Sequence, residues 1–302
     1  MDCNRACNLE DFADPDLRRT MRRVLPHEVG RFGDGYPHGV EYRKHWEVAM
    51  AVASLESAGV VRADAEVLGV GAGNEPTIFH LTNRVRRVFA TDLYLADAGW
   101  DDSANATMLT EPERHWPAET PWNPRRLVVQ HMNALDLRYE DETFDGVFSS
   151  SSIEHFGTSS DVHRALAEIH RVLKPGGVLS ISTEHRLSGP PPGLPGILMF
   201  DARDVSTVFV EPFDWQPLGP VELAVSQATL RTEQRLVDLS AEVSAHVEAH
   251  GFIEFHHLDW ARYPHIVLRH EDHTWTSMHL ALRKPPRPVR TRRTRPWRRD
   301  PR

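Results

Sequence analysis

A short apolar run that breaks into closely spaced glycines constrains the fold of this chain more than any other feature. Residues 67–70 (VLGV) form the run, and Gly71, Gly73 and Pro76 follow at once. A continuous apolar run bounded by glycines is typical of a buried strand that enters a tight turn. Pro76 suits the first position of a helix, where its missing N–H is not needed. The pattern therefore predicts a strand, a tight turn and a helix in succession.

The alternation of strand and helix continues along the chain. Four more strands are predicted, over residues 87–94, 126–132, 144–152 and 177–183. Helical spacing of apolar residues predicts helices over 38–59, 161–173 and 237–251. Two β-rich stretches, 265–270 and 274–284, predict a closing hairpin. Repeated strand–helix–strand units predict an α/β fold, with a doubly wound and mostly parallel sheet between layers of helices.

The regular pattern is interrupted at one end and at two internal places. Residues 1–37 are broken by Pro and Gly, which predicts an irregular leader or cap. Residues 38–284 are predicted to form one domain. Inserts are expected over residues 97–124, which are rich in Trp, Pro and Asp, and over residues 188–230, which begin with GPPPGLPG.

Charge is distributed unevenly between the body of the chain and its last residues. The net charge is −8, but residues 283–302 hold ten Arg or Lys and one acid, while the rest of the chain carries −17. We predict that the basic tail, residues 285–302, is disordered because it has too few apolar residues to offset the entropy of ordering it. A nucleic-acid partner is possible for such a tail, but the acidic body favours a small-molecule partner.

Composition excludes several other classes of protein. No apolar run approaches 18 residues, which argues against a membrane span, and residues 1–20 are polar rather than a secretory signal. Cys3 and Cys7 are the only cysteines, which excludes a disulfide scaffold and favours a reducing cytoplasm. The histidines lack metal-ligand spacing, so no metal site is predicted.

The glycine turn predicts a nucleoside site. Asp92 ends the second strand about 20 residues after the turn, a spacing that suits a carboxylate gripping both ribose hydroxyls. Pro76 occupies the third glycine position of a dinucleotide fingerprint that starts at Gly71. Glu75 at the mouth of the helix would repel a pyrophosphate, by about 1 kcal/mol or more at 4 Å. A cationic, phosphate-free nucleoside such as S-adenosylmethionine is therefore favoured over NAD.

Four sequence blocks carry a resemblance to a known family. They are VLGVGAGNE (67–75), VFATDLY (88–94), HMNALDLRYEDETFDGVFSSSSIEHF (131–156) and EIHRVLKPGGVLSISTEHR (168–186). In this order and spacing they resemble the class I S-adenosylmethionine-dependent methyltransferases of the type 11 kind. The resemblance implies a Rossmann-like, seven-stranded sheet whose last strand is antiparallel, with S-adenosylmethionine as the cofactor.

The resemblance also implies a role for each matching residue. The cofactor-binding positions are Gly69, Gly71, Gly73, Glu75, Asp92, Leu93, Asn133, Ala134, Ser149 and Ser150. The glycines line the methionine and ribose side, Asp92 holds the ribose hydroxyls and Leu93 packs on the adenine. Asn133 stands where the family often has an Asp that accepts from the adenine amino group, and Ala134 offers its backbone N–H. Residues 149–151 face the methionine and the acceptor.

One position departs from the family pattern. The family usually has Asp or Glu where this chain has Gly69, and that acid helps to place the cofactor's ammonium. Glu75, two positions past Gly73, is our hypothesis for its replacement. For catalysis, His155 with the adjacent Glu154 is the predicted general base, and Glu184 and His185 are rivals.

The sequence therefore predicts a cytoplasmic enzyme that transfers a methyl group to an oxygen or nitrogen of a small molecule. Three alternatives stay open: a non-catalytic module that binds S-adenosylmethionine, an RNA methyltransferase that uses the basic tail, and an NAD-dependent oxidoreductase.

Overall fold

The computed structural model describes residues 2–96, 104–118, 120–241 and 262–287. The strands within these residues are β1 Asn4–Ala6, β2 Glu66–Val70, β3 Arg87–Asp92, β4 Leu127–His131, β5 Phe144–Ser150, β6 Leu173–Ser188, β7 Gly193–Leu194, β8 Ile197–Leu198, β9 Gln216–Pro217, β10 Val221–Glu222, β11 Gln234–Arg235, β12 Leu268–His270 and β13 His273–Arg283.

Helices of three kinds connect the strands. The α-helices are α1 Pro15–Val24, α2 Pro26–Phe32, α3 Arg43–Ser57, α4 Pro76–Thr82, α5 Ser159–Val172, α6 Ala202–Asp204 and α7 Gln227–Leu230. The 3₁₀ helices are Leu9–Ala13, Ala106–Leu109, Pro112–His115, Pro124–Arg126, Ile153–His155 and Glu211–Phe213. A π-helix, Val205–Val210, directly follows α6.

The main sheet has the strand order β4-β3-β2-β5-β6-β13-β1-β10. Strands β2 to β6 pair in parallel, whereas β13 runs antiparallel to β6 over ten residue pairs. The antiparallel pairing of β12 with β13 forms the predicted closing hairpin. The mostly parallel α/β fold class is confirmed. The prediction has a single strand at the seventh position of the sheet, beside β13. In the structure three short strands, β1, β9 and β12, pair with β13 there instead.

Consecutive residues of the first parallel strand face opposite sides of the sheet, as strand geometry requires. Val67 belongs to the hydrophobic cluster that contains Phe79 of α4. Leu68 belongs to the cluster that contains Leu166 of α5. All four side chains are fully buried. Helices therefore cover both faces, which leaves only the edges and the strand ends of the sheet for a ligand.

The prediction that residues 1–37 form an irregular leader is wrong in its local structure. Pro15 begins a helix, and the Asp14 carboxylate caps it by accepting from the backbone N–H groups of Asp16 and Leu17 at 2.9 and 2.8 Å. β1 pairs antiparallel with β13, so this segment also extends the sheet. Pro15 and Pro26, which look like breaks in the sequence, begin α1 and α2. Proline is tolerated there because the first N–H groups of a helix have no acceptor within the helix.

Other predicted segments differ in extent. The strand predicted over residues 177–183 is longer in the structure, where β6 spans Leu173–Ser188. The insert at 188–230 contains the β7–β8 hairpin and the π-helix, and the described part of the insert at 97–124 consists of short 3₁₀ helices. Residues 237–241 of the predicted helix 237–251 are helical, and the helix begins one residue earlier, at 236. The rest of that helix, and the tail from residue 288, lie outside the described residues.

No helix among the described residues is long and apolar enough to cross a membrane. The same residues hold no group of three or more His, Cys, Asp or Glu side chains that could bind a metal ion.

Candidate functional site

A cavity of about 400 Å³ lies at the carboxyl ends of the parallel strands β2, β3, β4 and β5. Strand order reverses between β3 and β5 on either side of β2, and open α/β sheets bind ligands at such a switch point. The cavity is lined by Gly71, Ala72, Gly73, Asn74, Glu75, Asp92, Leu93, Ala96, Ala104, Met132, Asn133, Ala134, Leu135, Ser150, Ser151, Ser152, His155 and Phe156.

The glycine turn forms one wall, and its conformation requires glycine. Gly71 has φ +60°, and a Cβ there would lie 2.5 Å from the Ser152 hydroxyl oxygen. Gly73 has φ +48°. Its carbonyl accepts from the Tyr94 hydroxyl at 2.6 Å, and its N–H donates to Asp92 Oδ2 at 2.8 Å. The turn is therefore fixed by β3 before any ligand arrives.

Asp92, the predicted ribose-binding carboxylate, lines the cavity in a defined orientation. Its Oδ1 accepts from the backbone N–H of Leu93 at 2.7 Å, and its Oδ2 accepts from Gly73. Burial raises the pKa of Asp92 above its ordinary value, against these bonds and the nearby His131. Each carboxylate oxygen can accept a further bond. Beside it, the Leu93 side chain is 41% exposed at the cavity, an available apolar surface for a flat ring.

Gly69 does not line the cavity, although it was predicted to bind cofactor. A Cβ at this position would lie 2.6 Å from Phe148 Cζ and 2.7 Å from Ala72 Cβ. Real Cβ atoms do not approach that closely, so an acidic side chain cannot enter here without moving β5. The departure from the family pattern is therefore built into the packing between β2 and β5.

Glu75 lines the cavity, and its environment differs from that of an ordinary surface carboxylate. Its Oε1 is buried and has no hydrogen-bond partner among the described residues. Burial raises the pKa of Glu75 to about 8, with Ser150 opposing and the carboxylates of Glu47 and Asp92 adding to the rise. The group is therefore largely neutral at pH 7 until a cation approaches it. A bound ammonium would lower the pKa again and would supply the missing partner.

The adenine-side residues that the sequence predicted also line the cavity. Asn133 Oδ1 accepts from the Leu135 N–H at 2.9 Å, so the amide shapes the turn that exposes Ala134. On the opposite side, Ser150 lines the cavity, whereas Ser149 is 1% exposed and its hydroxyl lies 2.7 Å from that of Ser152. Ser149 therefore supports the wall rather than forming it.

The two predicted catalytic residues occupy different places. His155 lines the cavity, and its Nδ1 lies 2.8 Å from the carbonyl oxygen of Gly196. Burial lowers the pKa of His155. Glu154 is 1% exposed, lies outside the cavity lining and accepts from the Thr183 hydroxyl at 2.9 Å. Glu154 is therefore buried against β6 and does not face the cavity.

The rivals Glu184 and His185 also lie outside the cavity lining. His185 Nδ1 lies 3.0 Å from the Phe200 carbonyl oxygen, in a buried position. Glu184 accepts from Arg43 Nη1 at 3.0 and 2.8 Å and from Lys44 Nζ at 3.2 Å. Burial raises the pKa of Glu184, but the two cations outweigh burial and lower it overall.

These contacts belong to a largely buried group of side chains that sequence reasoning missed. We call Arg43, Lys44, Glu47, Glu184, Ser151 and Ser277 the charged cluster. Ser277 accepts from Arg43 at 2.8 Å, and the Ser151 hydroxyl donates to Glu47 Oε2 at 2.6 Å. Lys44 Nζ also donates to Ser151, which lines the cavity with φ +48°. The cluster therefore holds a cavity residue in a strained backbone conformation.

Only part of the charged cluster could be predicted from the spacing of residues in the sequence. Arg43 and Lys44 lie four and three residues before Glu47, a spacing that brings side chains together on a helix. Nothing local connects that helix with Glu184, which is 141 residues from Arg43, or with Ser277 on β13.

Comparison with known proteins gives a match over the middle of the chain. Residues 68–181 match a family model described as a methyltransferase domain. A demethylmenaquinone methyltransferase from Symbiobacterium thermophilum is 38% identical over 69 residues, which are 23% of this chain and 26% of that protein. A chloroplastic 2-methyl-6-phytyl-1,4-hydroquinone methyltransferase 1 from Oryza sativa subsp. japonica is 29% identical over 135 residues, or 44% of this chain and 35% of that one.

The chain thus aligns with about a quarter to a third of the length of these relatives. Among solved structures, a phosphoethanolamine N-methyltransferase 2 from Haemonchus contortus, in complex with S-adenosyl-L-methionine, superposes with a TM-score of 0.46. The two proteins are 18% identical in sequence, and the superposition covers 89% of this chain and 60% of the Haemonchus contortus chain.

Proposed function

We propose that this chain is a class I S-adenosylmethionine-dependent methyltransferase that methylates an oxygen or nitrogen atom of a small molecule, and the match of residues 68–181 to a methyltransferase domain supports this. One observation carries the proposal. The same cavity presents a fixed carboxylate at Asp92, a buried carboxyl oxygen without a partner at Glu75 and an exposed apolar side chain at Leu93. These are the groups that a ribose, an ammonium and an adenine ring need.

The residues fit S-adenosylmethionine better than a dinucleotide. Asp92 would accept from both ribose hydroxyls, Leu93 and Ala134 would contact the adenine, and Glu75 would accept from the ammonium. A pyrophosphate gains no such partner, because a carboxyl group occupies the position before α4 where phosphate would lie. When bound, the cofactor supplies a methyl group activated for displacement.

The chain itself has little bond chemistry to perform in such a reaction. Its main contribution is to hold the acceptor in line with the methyl group and to exclude water. His155 is neutral near pH 7 because burial lowers its pKa, so it can accept a proton from a hydroxyl or an ammonium group of the acceptor.

The proposal of a small acceptor rests on two observations. The cavity of about 400 Å³ is of the size that takes small ligands. The aligned relatives carry the names of quinone and hydroquinone methyltransferases. Neither Cys3 nor Cys7 forms a disulfide, which supports a reducing compartment such as the cytoplasm as the place where the protein acts.

Two measurements test the proposed function. Calorimetry with S-adenosylmethionine and with NAD⁺ should show binding of the first alone, and Asp92→Ala should abolish or strongly weaken it. A labelled-methyl assay against a fractionated metabolite extract should then transfer label to a small acceptor. Tight NAD⁺ binding would support an oxidoreductase instead. Cofactor binding without transfer to any fraction would support a non-catalytic module, and label appearing only in RNA would support an RNA methyltransferase.

A further inference from the structure

A small hairpin from the insert after β6 contacts a residue that lines the cavity. Its strands are β7 and β8, and Gly196 lies at its tip. The hairpin is anchored at its base, where the Met199 N–H donates to the Pro192 carbonyl at 2.8 Å and the Phe200 N–H donates to the Glu184 carbonyl at 2.9 Å. These anchors fix the Gly196 carbonyl oxygen at 2.8 Å from Nδ1 of His155.

This contact determines which ring nitrogen of His155 carries the proton. A backbone carbonyl oxygen can only accept a hydrogen bond, so Nδ1 must be the donor. A neutral imidazole has one N–H, and the other nitrogen then holds the basic lone pair. Burial lowers the pKa of His155 while the bond to Gly196 opposes that shift, so the ring is neutral near pH 7. Nε2 is therefore the basic nitrogen.

We propose that the β7–β8 hairpin is a positioning element of the active site: the Gly196 carbonyl holds the proton of His155 on Nδ1 and so presents Nε2 as the base toward the acceptor. This inference rests on the proposed methyl transfer and narrows it. The acceptor must carry a removable proton on its nucleophilic atom, as a hydroxyl or a protonated amine does. A thioether acceptor has no proton to lose and would leave the base at Nε2 unused.

The step balances without any further reactant. The acceptor's O–H or N–H proton passes to Nε2, and the freed electron pair of the acceptor forms the bond to the methyl carbon. The bond between the methyl carbon and the sulfonium sulfur of S-adenosylmethionine would break, and its electron pair would stay on that sulfur. His155 leaves the step as an imidazolium ion, whose Nδ1–H bond to Gly196 strengthens because a charged donor makes the stronger hydrogen bond.

Nitrogen NMR on the full chain, labelled with ¹⁵N at histidine, tests the tautomer directly. His155→Asn identifies the His155 signals among those of the 18 histidines. Between pH 7 and 8 we expect the Nδ1–H, Nε2-unprotonated form. An Nε2–H form would overturn the proposal, and this result needs no variant to be active.

His155→Asn also tests the role of Nε2, because its amide can still donate to Gly196. We expect kcat to fall by about 10²–10⁴-fold, with the Kd for S-adenosylmethionine within twofold of wild type. Wild-type kcat in this variant would overturn the inference and leave the proposed function standing. If the wild-type protein showed the expected tautomer but did not bind S-adenosylmethionine, the proposed function would be wrong.

Gly193→Ala tests the hairpin as a positioning element. Gly193 has φ +134°, and a Cβ there would collide with the Ile197 carbonyl and lie 2.9 Å from the Met199 nitrogen. The distorted hairpin should release Nδ1, give mixed tautomers in the NMR spectrum and lower kcat about tenfold. The acid limb of the pH–rate profile should move to lower pH, because the bond to Gly196 raises the pKa of His155.

Gly219→Ala is the matched control, since Gly219 has φ +98° and open space around its Cβ position. We expect a wild-type tautomer and pH profile in this control. An unchanged tautomer and pH profile in folded Gly193→Ala would show that the hairpin has no positioning role. Should Gly193→Ala not fold, the wild-type tautomer and the kcat of His155→Asn still decide the proposal.

Discussion

The glycine turn and the charged cluster meet at one cavity but are built in opposite ways. The turn uses backbone groups: the N–H groups of Gly73 and Leu93 orient Asp92, and all three lie within 21 residues. The cluster uses side chains from α3, the end of β5, β6 and β13, up to 234 residues apart. A contiguous segment forms the first, whereas only the complete fold assembles the second.

This difference predicts which measurement each region controls. Substitutions in the turn should weaken ligand binding and leave the folded state nearly as stable, because the side chains there face a cavity. Substitutions in the cluster should destabilise the protein, because they leave a buried charge without its partner. Four substitutions, in order of decreasing effect, test this contrast.

Arg43→Met should have the largest effect. It leaves Glu184 and Glu47 buried beside Lys44 alone, and breaking a buried ion pair in this way costs about 3–5 kcal/mol of unfolding free energy. Urea denaturation measures the change. Arg114→Met, which breaks an exposed pair with Glu111, is the control and should cost less than about 1 kcal/mol. Equal losses in the two variants would contradict the contrast.

Asp92→Ala should raise the Kd for S-adenosylmethionine by about 10- to 100-fold, because a hydrogen bond to a charged group contributes about 1.5–3 kcal/mol. Calorimetry measures the Kd, and urea denaturation should show a smaller loss of stability than in Arg43→Met. Asp136→Ala, two residues beyond the cavity residue Ala134 and outside the lining, is the control with an expected wild-type Kd. If Asp92→Ala lost stability but kept its affinity for S-adenosylmethionine, the turn would contribute to folding rather than to ligand binding, and the contrast would be wrong.

Glu75→Gln should remove a pH dependence of cofactor affinity. In the free protein the pKa of Glu75 is about 8, and a bound cation favours the ionised form, so binding releases a proton below that pH. Wild-type affinity should therefore rise between pH 6.5 and 8, by up to about tenfold per pH unit. Calorimetry in two buffers with different ionisation enthalpies counts the released protons. The variant should bind more weakly at pH 8 and release no proton from this site.

Tyr94→Phe should have the smallest effect. It removes the hydroxyl that holds the Gly73 carbonyl at 2.6 Å, a bond of about 1 kcal/mol, so the Kd should rise about fivefold. Tyr139→Phe loses a comparable bond, to Gln130 Oε1 at 2.5 Å, outside the cavity lining. The control should lose similar stability and keep its cofactor affinity.

The same contrast explains how much could be predicted from the sequence. The parallel strands and the cavity residues Gly71, Gly73 and Asp92 were predicted because each lies in a short segment whose own pattern indicates it, whereas Asn133 was predicted from the family resemblance. Their roles toward a cofactor stay predictions. The turn also correctly pointed to Glu75 as a cavity residue, but its raised pKa depends on burial that only the fold supplies.

The failures share one cause, the dependence on distant residues. Gly69 looked like a binding residue, yet Phe148 packs against it from β5. Glu154 looked like a partner of His155, yet Thr183 binds it inside the protein. Pro15 looked like a break, because the packing of α1 against α3 was not visible in the residues around it. Sequence spacing gives the neighbours along an element and not those across the sheet.

The pairing of β1 with β13 has a consequence for the order of events during synthesis. Arg5 and Ala6 leave the ribosome well before their antiparallel partners His279 and Met278, which lie more than 270 residues further along the chain. The Asn4 side chain likewise accepts from the Ala281 N–H at 2.7 Å. Because both partners of β1, β10 and β13, lie more than 200 residues further along the chain, β1 can join the sheet only after those residues are made, so this part of the sheet forms late.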